Sequence, residues 1–467
     1  MKPIQGAIAM VLGIFAAAVG GDASRAAPDD LGPLSRLEGD WAGRLDAGAL
    51  KLRLVLHVHT KDGSTAATLD SPDQNAIGLP ATVTLAGGQV RISAHGAAGA
   101  FEGALSADGA SLAGQWSGAP VTLTRMAPGA QAAVLNRPQS PVKPYPYREE
   151  AVAYDSAAAR LAGTLTLPQG RGPFPAVVLI AGSGAARRDE SVFGHAIFLV
   201  LADHLTRHGI AVLRYDKRGL GQSTGDYAAA TSTDFAADAE AGVAYLKTRP
   251  EIDRGRIGLI GHSEGGLIAP MVAERDPAVA SLVLMAGSGV PGDQIIMAQS
   301  RAIAAAAGVP EAALAANDAL ERRFLDAVMA AKDQPSAELA VRRVLKGAGM
   351  PDAAIDAQAK AASSNWYRFF LSYDPAPTLR RLRRPVLAII GSKDLQVPSA
   401  QNLPALREAL KSDPAAEVIE LPGLNHLFQT ARTGAPSEYG QIEETLSPTA
   451  LDLITQWILD RAQRPVG

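Results

Sequence analysis

Two textures of hydrophobic patterning divide this chain. From residue 148 onward, short continuous apolar runs alternate with stretches of helical spacing. The runs are Pro175 to Ala181, Ile210 to Tyr215, Arg256 to Ile260, Ala280 to Met285 and Pro385 to Ile390. Uninterrupted apolarity of strand length predicts strands buried on both faces, as in a parallel sheet covered by helices. Helices are predicted over 191–208, over about 233–248 and from Leu267 to Val272, with an opening hairpin at about 149–167. The whole is an α/β architecture, a mostly parallel sheet flanked by helices. After Met285 the alternation stops. Residues 293–370 are Ala-rich, with helical spacing and no strand signal, which predicts a helical cap inserted over the sheet.

Residues 31–126 differ. Short alternating runs recur at Leu52 to Val58, Ala81 to Leu85, Gln89 to Ser93, Phe101 to Leu105, Ser111 to Trp116 and Val121 to Thr124. Asp62-Gly63, Gly87-Gly88 and Asp108-Gly109 are hairpin signals between them. A small antiparallel β sandwich or barrel is expected, with Trp41 and Trp116 in its core. Residues 127–147 carry Pro138, Pro141, Pro144 and Pro146, the composition of an extended, fairly stiff linker.

Composition narrows the classes. A net charge of −3 without basic clusters gives no reason to expect nucleic-acid binding. The chain has no cysteine, which excludes disulfides, a thiol nucleophile and a lipidated cysteine. Lys2 followed by the 13-residue apolar run Ala7 to Val19 predicts a signal peptide over 1–27. The run is too short for a membrane span of ~20 residues. Small residues near Ala23 and Ala26-Ala27 suit cleavage, after which no membrane span is expected. A secreted chain without disulfides fits a bacterial periplasm or exterior.

The chemistry concentrates at Gly261-His262-Ser263-Glu264-Gly265, between the run ending at Ile260 and the helical pattern from Leu267. Strand, Gly-x-Ser-x-Gly, helix is a nucleophile elbow: a strained turn lifts the serine hydroxyl above the sheet edge. The flanking glycines leave room for close backbone contacts, and the helix N-terminus favours negative charge nearby. In folds with this elbow the partners follow in the order acid, then His. Of eight histidines only His426 follows Ser263, in a Pro/Gly loop after the strand-like Glu417 to Leu421. Asp394 lies just past the apolar run Pro385 to Ile390, where it can orient an imidazole. Asp374 competes, but Tyr373-Asp374-Pro375 resembles the entry to the next element. The oxyanion hole is expected from the N–H of Glu264 and that of Ser183, with Gly184 as the alternative.

Ala181-Gly182-Ser183-Gly184, Arg188-Asp189-Glu190, Tyr215-Asp216-Lys217-Arg218-Gly219, Gly261 to Gly266, Gly391 to Pro398 and Gly423-Leu424-Asn425-His426 occur in order. Together they resemble the secreted carboxylesterase branch of the α/β-hydrolase superfamily, near the serine aminopeptidase-like hydrolases. The resemblance covers roughly residues 148–463. It implies an α/β-hydrolase fold and ester hydrolysis by Ser263, Asp394 and His426 without a metal or cofactor. Members often carry Pro-Gln-Asp after the Gly-Ser-Gly; here Ala185-Ala186-Arg187 follows.

Other signals are weaker. His57 and His59 face one side of a strand, but no third metal ligand stands near them in sequence. His204 and His208 are four apart, yet Leu205 occupies the place of the glutamate that a zinc protease motif requires. Gly182-x-Gly184-x-x-Arg187 lacks the third glycine of a dinucleotide fingerprint. Asp216 and Arg218 suit a structural ion-pair turn. Arg187 to Glu190 suit either a polar substrate contact or a solvated loop. The aromatic run Trp366 to Tyr373 suits an acyl-pocket wall or plain cap packing. Candidate substrate contacts are therefore Gly182, Gly184, Trp366 and Phe369. The expected activity is cleavage of a small-molecule ester, with a short acyl chain. Two other readings remain: a peptidase or amidase acting on short peptides, and a glycan- or lipid-binding protein using the β domain.

Overall fold

The computed structural model describes residues 34–47, 50–61, 64–71, 76–94, 100–116, 118–127, 136–350 and 352–462. The expected signal peptide lies outside them. Among the described residues, β1 (Gly39–Ala47), β2 (Leu50–Lys61), β3 (Ser64–Ser71), β4 (Ala76–Ala86), β5 (Gln89–Ala94), β6 (Phe101–Leu105), β7 (Ser111–Trp116) and β8 (Ala119–Arg125) follow one another. They form a closed antiparallel barrel. Closure comes from β1 pairing with both β2 and β8, so no edge strand remains. Of the two architectures expected, the barrel is the one adopted. Inward positions alternate along each strand: Leu52, Leu54, Leu56 and Val58 on β2, and Val90, Ile92 and Ala94 on β5. A one-turn 3-10 helix, Ser35–Leu37, precedes β1 and adds Leu37 to the barrel core. Trp41 donates from Nε1 to Leu37 O at 2.8 Å, and the Arg125 guanidinium lies 4.0 Å over the Trp41 ring while donating to Arg36 O at 2.6 Å. Both tryptophans are core residues, as expected.

The second unit is built on an eight-stranded mixed sheet. It opens with the hairpin β9 (Arg148–Ser156) and β10 (Ala159–Leu167), followed by β11 (Phe174–Ile180). The helix expected over 191–208 starts only at Ile197. Before it, Ser191–Val192 (β12) and His195–Ala196 (β13) pair around Phe193 and Gly194, whose positive φ angles of 52° and 77° make a tight turn. Then come α1 (Ile197–Arg207), β14 (Ala211–Tyr215), α2 (Ser232–Thr248), β15 (Ile252–His262), α3 (Glu264–Arg275) and β16 (Val279–Met285). Strand order is β18-β17-β16-β15-β11-β14-β10-β9, where β17 is Val386–Gly391 and β18 is Glu417–Leu421. Pairs from β14 to β18 are parallel, and β10 runs antiparallel to both its neighbours.

Burial explains the apolar runs. Ala176, Val178 and Ile180 of β11 face one helix layer, while Val177 and Leu179 face the other. Strand β17 divides in the same way, with Val386, Ala388 and Ile390 opposite Leu387 and Ile389. Both faces are covered, so alternation disappears from the sequence. Between β16 and β17 the chain forms α4 (Gly292–Ala306), α5 (Glu311–Met329), α6 (Gln334–Gly347), α7 (Asp352–Ala362), α8 (Asn365–Ser372) and α9 (Ala376–Arg381). The first five have a core of their own around Leu325, Val341 and Tyr367. Helices α10 (Ser399–Leu410), α11 (Pro436–Tyr439) and α12 (Pro448–Ala462) complete the unit.

The two units touch. Phe193 packs against the barrel core and meets the Tyr439 ring edge-on, with centroids 5.5 Å apart. Arg137 fastens the end of the linker by donating to the carbonyls of Phe193, Gly194, Gly440 and Ile442 at 2.8–3.2 Å.

Candidate active site

Ser263 occupies the one residue between β15 and α3, with φ 54° and ψ −117°. That backbone conformation is unfavourable for a serine and persists because its surroundings enforce it. Ser263 N donates to Met285 O at 2.8 Å, and Ser263 O accepts from Gly266 N at 2.9 Å. The glycines are required by contact: a Cβ on Gly265 would meet Ile180 O at 1.9 Å, and one on Gly261 would meet Gly265 O at 2.0 Å.

Asp394 and His426 meet where the sequence order places them, past β17 and β18. The buried Asp394 carboxylate accepts from Gln396 N and Val397 N through Oδ1, each at 2.8 Å. Its Oδ2 lies 2.8 Å from His426 Nδ1. The two backbone bonds fix the carboxylate plane, so the imidazole is held with Nε2 turned away from the acid. Asp374 stands elsewhere, bonding Ala376 N at the start of α9. The loop carrying His426 is shaped by Asn425, which is fully buried and accepts from Leu427 N and Gln429 N at 3.0 Å.

His262, the neighbour of Ser263, ties the elbow to that loop. Its Nε2 lies 3.0 Å from His426 O, and its Nδ1 lies 3.0 Å from Glu190 Oε1. Burial disfavours a charge on His262, but the Glu190 carboxylate, with the His426 carbonyl and Asp394, outweighs it and the net pKa is raised. Glu190 Oε1 also accepts from Gly182 N at 2.6 Å. In the segment Arg187 to Glu190, Arg187 is exposed while the other three residues are engaged within the protein. Arg188 pairs with Asp216 at 2.6 Å, Asp189 with Arg214 at 2.8 Å, and Glu190 is buried behind the elbow. Arg218 pairs with Asp238 at 2.8 Å, so the segment around it is an ion-pair turn. None of these contacts has a sequence signature, because each joins positions far apart in the chain.

Ser183, Ser263 and Glu264 line one cavity of about 90 Å³, walled on the cap side by Ile296, Trp366 and Phe370. Trp366 is therefore at the cavity, the first of the two places open to the aromatic run. Phe369 is not: three residues further along α8, it stacks on Tyr373 with centroids 5.5 Å apart. Gly182 and Gly184 do not line the cavity either. Gly182 sits behind Ser263, where a Cβ would come within 3.0 Å of the Ser263 Cβ. The Glu264 side chain was not singled out from sequence. Its Oε1 accepts from Ser232 Oγ at 2.6 Å and from Trp366 Nε1 at 2.7 Å, and Oε2 lies 3.6 Å from Lys217 Nζ.

On the barrel, Asp40 stands near the two histidines that lacked a third ligand in sequence. Its Oδ1 is 2.7 Å from His57 Nδ1 and 3.8 Å from His59 Nε2, while Asp70 Oδ2 is 3.1 Å from His57 Nε2. Burial lowers the His57 pKa, but these two carboxylates together raise it. His57 is in this way a cross-strand clamp between β1 and β3.

Comparison with known proteins agrees with the fold. The model of the alpha/beta hydrolase family matches residues 177–435. Esterase EstD of Thermotoga maritima is 28% identical over 303 residues, covering 64% of this chain and 65% of its own. The chain thus spans just under two thirds of that esterase's length. Among solved structures, an esterase of Pyrococcus furiosus is 16% identical, with a TM-score of 0.43, over 72% of this chain and 100% of its own. Est1E of Butyrivibrio proteoclasticus, solved with ferulic acid, is 16% identical with a TM-score of 0.39, over 67% and 100%.

Proposed function

The chain belongs to the alpha/beta hydrolase family, and from that premise we propose that it is a serine ester hydrolase acting on short acyl esters. The observation that carries this reading is the buried 2.8 Å bond between His426 Nδ1 and Asp394 Oδ2, in a loop tied at His426 O, 3.0 Å from His262 Nε2, to the residue before a serine held at positive φ. In the proposed reaction His426 takes the Ser263 proton as Oγ attacks the ester carbonyl. Asp394 keeps the imidazole in the right tautomer and stabilises its cation. The N–H groups of Glu264 and Ser183 receive the oxyanion. His426 then protonates the departing alkoxide, the alcohol leaves, and water repeats the cycle to free the acid.

The similarity to an esterase supports an ester substrate. The cavity of about 90 Å³ under the cap supports a short acyl group. Secretion after removal of residues 1–27 is part of the same proposal, supported by Lys2 and the apolar run behind it. N-terminal sequencing of protein from culture fractions tests it; an intact Met1 in the cytoplasmic fraction would refute it.

The test of activity is a chromogenic ester series from two to twelve acyl carbons, with a matching amide, on wild type and Ser263→Ala. Hydrolysis that declines with chain length, and a loss on the order of 10⁴–10⁶ in kcat in the variant, is expected. A faster amide than ester would make the chain a peptidase. Undiminished hydrolysis by Ser263→Ala would refute the mechanism.

A further inference from the structure

Lys217 is buried beside the proposed site, in a segment where Asp216 and Arg218 were read as an ion-pair turn. A lysine is rarely buried unless its ammonium is paired and hydrogen-bonded. Here Nζ donates to Gly182 O at 2.6 Å and to Gly184 O at 3.3 Å. It lies 3.6 Å from Glu264 Oε2 and 4.6 Å from the centre of the Phe235 ring. The Lys217 backbone N also donates to Ala186 O at 3.4 Å. One residue thus engages three alternate carbonyls of the loop that follows β11.

Peptide geometry gives this arrangement a consequence. The Gly182–Ser183 peptide is trans, so the Gly182 carbonyl and the Ser183 N–H point in opposite directions. Ser183 lines the cavity with Ser263, whereas Lys217 does not. An ammonium behind the loop that holds the carbonyl therefore presents the N–H to the cavity. Without it, a segment containing Gly182 and Gly184, the latter at φ 94°, has little intrinsic resistance to a peptide flip. A flip would turn a carbonyl oxygen toward the developing oxyanion and leave a buried ammonium short of an acceptor. Glu190 pins the preceding peptide through Gly182 N, so Gly182 is fixed from both sides.

On the ester-hydrolase reading, we infer that Lys217 is a positioning residue for the oxyanion hole: by holding the Gly182 and Gly184 carbonyls from behind, it aims the Ser183 N–H at the reacting carbonyl. Glu264 supplies its counter-charge from the residue after the nucleophile, so both oxyanion donors are coupled through one ion pair. The departure from Pro-Gln-Asp to Ala185-Ala186-Arg187 leaves this clamp intact, since the partners Lys217 has in that loop are main-chain carbonyls.

The test is Lys217→Met, close in volume but without donors, measured on a short-chain ester and with a boronic acid as mimic of the tetrahedral intermediate. We expect kcat to fall roughly 10²-fold, KM to stay near the wild-type value, and boronate affinity to fall in step with kcat. Binding of the carboxylic acid product should hold steady. Lys217→Arg, which keeps donors toward the carbonyls, should recover part of the rate. A folded Lys217→Met with wild-type kcat, or one whose kcat falls while boronate affinity does not, overturns the inference. Should Lys217→Met not fold, Glu264→Gln decides: it keeps an acceptor for Ser232 and Trp366, removes the counter-charge and turns an amide N–H₂ toward Lys217. A smaller loss of kcat matched by boronate affinity is then expected, and no change in either overturns the inference. A wild type that neither hydrolyses esters nor binds the boronate removes the ester-hydrolase reading and this inference with it. An active wild type with an equally active variant removes Lys217 alone.

Discussion

Asp394 illustrates how much a single side chain depends on its backbone contacts. Its Oδ1 is saturated by two N–H groups of its own loop, leaving Oδ2 for His426. Asp394→Asn keeps the shape, but with Oδ1 still held by the two backbone N–H groups its amide nitrogen donates to His426 Nδ1 and selects the wrong imidazole tautomer, which should cost on the order of 10⁴ in kcat. Steady-state kinetics on a two-carbon ester would check this; a loss of less than tenfold would show that the acid is elsewhere. Ser263, His426 and Asp394 were legible in the sequence as candidates, because chain order and strand-end position select them. Glu190, His262 and the Glu264 carboxylate were not. Their roles arise from contacts such as Glu190 with His262, which no local pattern encodes.

At the scale of elements, the cap decides what the elbow can receive. Helices α4 and α8 bring Ile296, Trp366 and Phe370 over Ser263. The Trp366 Nε1 bond to Glu264 Oε1 locks the cap to the helix after the nucleophile. Trp366→Ala removes both the wall and the lock. The ratio of kcat/KM for an eight-carbon ester to that for a two-carbon ester should rise on the order of 10-fold. An unchanged ratio would place the acyl chain on another face of the cavity. The cap's existence was legible, since a long helical stretch without strands interrupts an otherwise regular alternation. Which aromatic lines the cavity was not, because Trp366 and Phe369 share a run and stand less than one turn apart on α8, so their local pattern does not tell them apart. Likewise β3 went unread: in Ser64–Ser71 only Leu69 is a large apolar residue, and its pairing with β2 and β4 supplies what its own pattern lacks.

The whole molecule has a pH-sensitive contact in its second unit, next to the turn at Phe193 that meets the barrel. His195 follows the turn at Phe193, its Nδ1 3.0 Å from Thr445 Oγ1 and its Nε2 2.9 Å from Tyr439 O. Burial, helped by the nearby Arg137 charge, pulls its pKa from 6.5 down to about 4. In that window the unfolded chain takes up a proton that the folded one does not. Stability is therefore full above pH 6.5 and falls as pH drops toward 4. Urea unfolding at pH 7 and pH 5 should show wild type losing about 2 kcal/mol more than His195→Gln. Equal losses would assign the acid sensitivity to other groups.

By itself the sequence determined the layering of the second unit, the barrel-or-sandwich character of the first, and the residues bearing the proposed chemistry. Those features are written in short-range order: periodicity reports which faces are buried, and the elbow needs its glycines within one turn. Only the tertiary structure decided that the eight strands close, that Trp366 rather than Phe369 meets the cavity, and that Lys217 stands behind the oxyanion loop. The physical reason is common to all three. Closure, rotation of a helix about its axis, and the partner of a buried charge are settled by groups distant in the chain, and those groups share an environment only once the core has packed.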